Sequence, residues 1–259
     1  VPLVSDEVPA AARLDLGDRI ADLLLATPDL SATLRRDEHS VRLRRAGLLE
    51  HSTIAWRRRL AQAAGLPFRP FPSVSIVLPT KRPHLLEHAL RQVAKQRGTE
   101  GEVEVVVATH GFQADPGLVR EHVGDRFVLR AFDESTFFGD VLNGGVDAAS
   151  GDLVLKLDDD DWYGPDFVAD LLLARHYSGA EVVGTTVEYV YLAPLNRTLR
   201  RRDDSERIAQ FVAGGSIMTD RTVLAAAGRF RRVRRYVDAQ LLDAVRQQGR
   251  SIYRSHGLG

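Results

Sequence analysis

Leu153-Val154-Leu155-Lys156-Leu157-Asp158-Asp159-Asp160-Asp161-Trp162-Tyr163 is the stretch on which the reading of this chain turns. An apolar run of strand length drives straight into four consecutive carboxylates. Neighbouring negative charges repel, each close pair by about 1 kcal/mol even in water. Such a cluster at the end of a buried strand is hard to explain without a cation. Hard oxygen ligands suit Mg²⁺ or Mn²⁺, and Mg²⁺ is commonly held by one or two carboxylates together with substrate phosphates. A solvated acidic turn is the plainer alternative. The strand before the cluster and the aromatic pair after it favour a metal.

Upstream of this stretch, strand and helix patterns alternate. Val74-Ser75-Ile76-Val77-Leu78 reads as a buried strand, followed by a helix over residues 84–96. Val103-Glu104-Val105-Val106-Val107 is the next strand, with a helix over residues 116–123. Phe127-Val128-Leu129 follows, then a helix through Val141, Val146 and Ala149 that Gly151 is expected to close. The Asp-bearing strand is the fourth. Repeated βα units predict an α/β fold, a doubly wound and mostly parallel sheet with flanking helices. Ligands of such sheets bind beyond the carboxyl ends of the strands. That rule sets Pro79, Thr80, Thr109, His110 and the Asp run on one rim.

The first 71 residues read differently. Leu14, Leu16, Ile20, Leu23, Leu24 and Leu25 recur at helical spacing, and Thr27-Pro28 ends that segment. A second helix carries Leu34, Val41, Leu43, Leu48 and Leu49, and a third carries Ile54, Trp56, Leu60 and Ala64. Arg42, Arg44, Arg45, Arg57, Arg58 and Arg59 decorate them, as a solvated face or as a contact for an anionic membrane or a partner domain. Gly65-Leu66-Pro67-Phe68-Arg69-Pro70-Phe71-Pro72 is a proline-rich linker. The expected division is a helical N-terminal region with its linker over residues 1–71 and the α/β domain over residues 72–259.

Composition narrows the function classes. The chain of 259 residues is 44% hydrophobic, enough to bury a substantial core. Its 35 basic and 35 acidic residues cancel, so no bulk field points to nucleic acid. Only three of the basic residues are lysine, a bias read as genomic composition. The absence of cysteine excludes disulfides, thiolate metal sites and a cysteine nucleophile. No apolar run approaches the ~18 residues of a membrane span, and the basic-then-apolar order of a signal peptide is missing. The expectation is a cytoplasmic protein, with peripheral contact at the inner membrane face and homo-oligomerisation through the N-terminal helices left open.

Three features in order carry a resemblance: Pro79-Thr80-Lys81-Arg82 after the first strand, Asn143 and Gly145 before a small-residue helix, then strand, Asp-rich turn and Pro165. Together they resemble the family 2 glycosyltransferases of GT-A fold over residues 73–256, most specifically over residues 143–165. The resemblance implies a metal-dependent enzyme that moves a sugar from a nucleoside-diphosphate sugar to an acceptor hydroxyl, with inversion. It implies nucleotide contacts at Pro79, Thr80 and Arg82, with Thr109, Asp133 and Asn143 beside them. Asp158 falls at the ribose-or-metal position and Asp160 at the metal ligand. Asp161 would bind metal through water, and Asp159 either joins the nucleotide contacts or stays solvated. Lys156, inside an apolar strand, is expected to pair with an aspartate, because an isolated buried ammonium is costly.

On the acceptor side, residues 181–192 read as one extended segment, and Ala213-Gly214-Gly215-Ser216-Ile217 resembles the family's glycine-containing strand beside sugar and acceptor. Trp162 and Tyr163 either cap the sugar or pack. The basic run Arg229, Arg231, Arg232, Arg234 and Arg235 meets a phosphorylated group or solvent. Asp238 opens the last helix where the family places its general base, although Val237 stands where the family has Glu. Late His256 falls where several such enzymes complete the metal shell, and a histidine ligand would favour Mn²⁺. Base-reading aspartates that the family carries after the second strand are replaced here by Thr109-His110. A nucleotidyltransferase of similar architecture would show a glycine-rich phosphate loop after the first strand, which is absent. A scaffold on a decayed fold is the non-enzymatic alternative.

Overall fold

The computed structural model describes residues 30–99, 103–201 and 204–258. The leucine-rich segment ending at Thr27-Pro28 lies outside them. Two helices come first, α1 (Leu30–His51) and α2 (Thr53–Ala63), with Ser52 between them accepting from the Ala55 amide as the N-cap of α2. Then follow β1 (Val74–Thr80), α3 (Pro83–Ala94), β2 (Val103–His110), α4 (Pro116–Val123), β3 (Phe127–Phe132), α5 (Phe138–Ala148) and β4 (Leu153–Lys156). After the Asp run come α6 (Phe167–Ser178), β5 (Val182–Thr185), β6 (Tyr189–Leu192), β7 (Arg197–Arg200) and β8 (Arg207–Ile208). The chain ends through β9 (Met218–Asp220), α7 (Arg221–Ala226), α8 (Val237–Gln247) and β10 (Ile252–Ser255).

Eight strands form one sheet in the order β3-β2-β1-β4-β9-β5-β10-β8. The first four are mutually parallel, in register from Val74 opposite Val103 and Leu153. β9 runs antiparallel between β4 and β5, and β10 continues parallel to β5. Central strands buried on both faces are mostly apolar, and β1 and β4 are buried throughout, with Ser75, Thr80 and Lys156 as their polar members, each hydrogen-bonded. Their period-2 alternation sorts side chains to two cores. Ile76, Leu78, Val105, Val107, Leu153 and Leu155 meet Leu86 and Leu90 of α3 and Leu171 and Leu172 of α6. Val77, Val106 and Val154 face the other way, onto Leu142 of α5 and Leu241, Leu242 and Val245 of α8. Ile54 of α2 and Phe71 of the proline-rich stretch belong to the first core, so the helical region is packed onto the sheet.

Three local expectations are corrected. α5 ends at Ala148 with Ala149 as its extended C-cap, and Gly151 does not close it with a left-handed turn. A Cβ at Gly151 would lie 2.7 Å from the Ser75 amide nitrogen, so glycine is required there by the close approach of β1. The extended segment over residues 181–192 is broken, with β5 in the main sheet and β6 pairing only with β7. The Gly214–Ser216 stretch is a short 3₁₀ turn, and the strand begins after it at Met218.

Candidate active site

The rim predicted by sheet topology is a cleft of about 520 Å³. Pro79, Thr80, Lys81 and Arg82 at the end of β1, Asp158, Asp159 and Asp160 after β4, and Lys156 and Asp238 line it. His110, Thr136, Phe138, Arg234 and Arg235 close the other side.

Lys156 organises the floor. Its ammonium is nearly fully buried and donates to Asp158 Oδ1 at 2.7 Å, to the Gly214 carbonyl at 3.1 Å and to Asp238 Oδ2 at 3.3 Å. Burial works against its charge, but the two carboxylates overcome it and raise its pKa. Tyr163 does parallel work. Its hydroxyl donates to the Gly215 carbonyl at 2.8 Å and accepts from the Asp158 amide at 2.9 Å. These two side chains tie the Gly214–Ser216 turn to the Asp loop. Both glycines are obligatory there: a Cβ on Gly214 would collide with Asp238 Oδ2, and one on Gly215 would lie 2.8 Å from Asp161 Oδ2 and 2.9 Å from Asp158 Oδ2.

Asp238 stands in the first turn of α8. The residue before Val237, Tyr236, adopts the left-handed region at φ 60, a conformation that costs a non-glycine residue about 1 kcal/mol or more. Asp238 Oδ1 is buried and has no hydrogen-bond partner among the described residues. Burial raises the Asp238 pKa above the ordinary carboxylate value, with the Asp158 charge adding to it and Lys156 only partly opposing. Asp161 is raised too, by burial and then by the charges of Asp158 and Asp160.

Arg82 does not reach across the cleft. Its guanidinium donates to both Asp159 carboxylate oxygens and, at 2.9 Å, to Asp160 Oδ2; burial works against the Asp160 charge, but the Arg82 hydrogen bond and charge hold its pKa below the ordinary value. Thr80 Oγ1 donates to Asp159 Oδ2 at 2.5 Å. Asp159 is therefore a buried, fully engaged group rather than a solvated one.

Several anticipated residues lie elsewhere. Thr109 is buried with its hydroxyl on the Arg130 carbonyl of β3, and His110 faces the cleft in its place. Asp133 accepts from the Ser135 amide at 2.8 Å, shaping its own turn. Asn143 clamps the neighbouring loop, donating to the Phe230 carbonyl at 2.8 Å and accepting from the Phe230 amide at 3.1 Å. Ser216 is buried, its Oγ bound to the Thr185 amide and the Ala213 carbonyl. Trp162 is 76% exposed, edge-on against His88 beside α3 and outside the lining. His256 is far from the Asp run in its contacts: it faces Asp170 at 3.7 Å in a small crevice lined by Arg44 and Arg45 of α1. The late-histidine ligand is thereby corrected, because β10 delivers that side chain to the opposite, α1-covered side. Arg234 and Arg235 were visible only as part of a basic run. Arg229 and Arg232 of the same run pair with Asp147 and Asp140, whereas Arg235 makes no ion pair among the described residues.

A mostly parallel sheet with an antiparallel insertion beside an Asp-lined cleft defines the GT-A class of α/β fold. The chain belongs to glycosyl transferase family 2, whose profile matches residues 75–242. Among solved structures, residues 1–349 of S. aureus TarS align at 17% identity and a TM-score of 0.54 over 71% of this chain and 60% of that one. The mannosyltransferase PcManGT from Pyrobaculum calidifontis, in complex with GDP-Man and Mn²⁺, aligns at 16% identity and 0.55 over 85% and 67%. TarS 1–349 in complex with UDP-GlcNAc aligns at 18% and 0.55 over 70% and 55%. The chain thus spans about 60% of that TarS fragment and 35% of a longer TarS chain. No curated protein matches the sequence.

Proposed function

We propose that the protein transfers a sugar from a nucleoside-diphosphate sugar to an acceptor hydroxyl, with inversion and with a divalent cation at the diphosphate. The observation that carries this reading is Asp238: a half-buried carboxylate lining the cleft, one oxygen held by Lys156 and the other buried without a partner among the described residues. Buried polar atoms are normally satisfied, and an orphan in a cleft beside perturbed carboxylates marks a reactive group.

The residues present fit a divalent cation. Asp158 Oδ2 and Asp161 Oδ2 converge over Gly215, where with the Tyr163 hydroxyl they surround the position a Cβ would take. Lys156 occupies only Oδ1 of Asp158, and Asp161 has one long contact with the Tyr163 hydroxyl, at 3.4 Å. Two carboxylates plus phosphate oxygens are an ordinary Mg²⁺ or Mn²⁺ set. No group of three candidate ligands converges among the described residues, so the diphosphate would have to complete the shell. In this reading Asp158 and Asp161 would hold the metal, while Asp160 is drawn off by Arg82. The ion would neutralise charge that develops on the leaving diphosphate.

The protein groups perform the remaining work. Pro79, Thr80 and His110 face the nucleoside, and Arg234 and Arg235 supply positive charge to the diphosphate. Asp238, made more basic by burial, takes the acceptor proton as that oxygen attacks the anomeric carbon opposite the diphosphate. The bond from the anomeric carbon to the diphosphate breaks and the configuration inverts. Residues 72–259 carry this chemistry, and residues 1–71 are an accessory region.

The test is a panel of uridine and guanosine diphosphate sugars assayed with Mn²⁺, Mg²⁺ or a chelator. Turnover of one donor that depends on the metal is expected. No hydrolysis or transfer from any donor under either metal would overturn the reading.

A further inference from the structure

We propose that α2 is a docking helix for an anionic lipid surface. Only its first residues, Ile54 and Ala55, are buried against the core. Trp56 and Leu60 are 63% and 53% exposed, and with exposed Ala63 they recur at i, i+4 and i+7. That spacing gathers them on one stripe, turned away from the side that Ile54 and Ala55 give to the core. Arg57 and Arg59 flank the stripe, Arg58 completes three consecutive arginines, and the helix has no acidic residue. Leu66, 64% exposed, extends the apolar surface just past the helix end, where its amide donates to the Ala61 carbonyl.

An interfacial helix needs these parts: an aromatic and aliphatic stripe that enters the headgroup region, with cations at its margins that meet anionic lipid. Arginine stems lie along the apolar surface while their guanidinium groups stay in the polar layer. A second copy of the chain fits less well. A two-fold contact through this face would set one triplet of arginines against another with no acid on the helix to compensate. The inference stands apart from sugar transfer and does not rest on it.

The experiment is vesicle co-sedimentation of the full chain. Phosphatidylcholine vesicles are compared with vesicles in which about a third of the lipid is phosphatidylglycerol, at low and high salt. Binding to the anionic vesicles that falls with salt is expected, with little binding to the neutral ones. The chain has two tryptophans, so Trp162→Phe leaves Trp56 as the sole indole reporter. Its emission should shift to the blue on anionic vesicles. The triple variant Trp56→Ser, Leu60→Ser, Arg57→Glu should lower vesicle affinity at least tenfold with an unchanged far-ultraviolet spectrum. Should that variant misfold, Arg57→Glu alone must still weaken binding to anionic vesicles. Equal binding to both vesicle types, an unshifted Trp56 emission, or full affinity in the variants would overturn the proposal. So would a dimer that the triple variant dissociates while vesicle binding is absent.

Discussion

Two acidic clusters flank the start of α6, and they are built on opposite principles. One joins Asp166, Asp170 and Glu206 to the arginines of α1. Arg45 donates to both Asp170 oxygens at 2.6 Å and to Asp166 at 2.7 Å, and Arg97 adds a second cation to Asp166. Arg44 pairs with Glu206, which also accepts from the hydroxyls of Tyr177, Tyr253 and Ser255. The Asp166 pKa is lowered, chiefly by the Arg97 hydrogen bond, and Glu206 is lowered by Arg44 in spite of burial. The cleft cluster sets five carboxylates against two cations among the described residues, Lys156 and Arg82, and there Asp161 and Asp238 are raised. Density of acid is therefore uninformative by itself. What separates a latch from a reactive site is whether each carboxylate has its own cation.

The contrast is broken most directly at Asp238. Asp238→Asn keeps the shape and removes the proposed base, so kcat should fall at least about 100-fold. Stability should change little, because the carboxylate it removes is desolvated and incompletely bonded. Steady-state kinetics beside a urea titration measures both. Near-normal kcat would remove Asp238 from the base role.

How much of this was legible in the chain differs between the clusters for a physical reason. β1, β2 and β4 are continuous apolar runs that end in polar turns, and their carboxyl ends placed Thr80, Arg82 and the Asp run together correctly. Lys156 could be paired with an aspartate because a lone buried ammonium is untenable, although its bridge to Asp238 spans 82 residues and has no local sign. The strand expected over residues 213–217 lies later, as β9, because Met218–Asp220 is three residues long, too short for any period to appear, and its place between β4 and β5 is purely tertiary. Asn143 matched a motif position, yet its amide clamps Phe230, a contact that only the folded chain brings about. The same holds for Asp170, whose partner Arg45 lies on α1 at the other end of the sequence, and for His256, which faces Asp170 of α6.

At the latch, Arg45→Met should destabilise the protein by about 3 kcal/mol, because it leaves the buried Asp170 without its bidentate partner. Equilibrium urea unfolding reads the loss. kcat measured well below the transition should stay within about twofold, since no latch residue lines the cleft. A fall in kcat as large as that of Asp238→Asn would show that the clusters are coupled.

The smallest effect tests the comparison most finely, through the sign of the pH dependence. Glu206 has a folded pKa below its ordinary value of 4.5. The unfolded chain therefore binds more protons in the acid range, and stability rises with pH there. That contribution is fully present above the ordinary value and is lost as pH falls through it towards the folded value. Glu206→Gln should flatten the acid limb of the stability curve. Asp238 is displaced upward from 3.8, so the folded state binds more protons and its contribution is lost as pH rises through the folded value. Asp238→Asn should remove that opposing slope and steepen the same limb. Urea midpoints collected across the acid range for both variants would show slopes changing in opposite directions. Slopes that change in the same direction would mean that the two clusters do not differ in the way their ion pairs indicate.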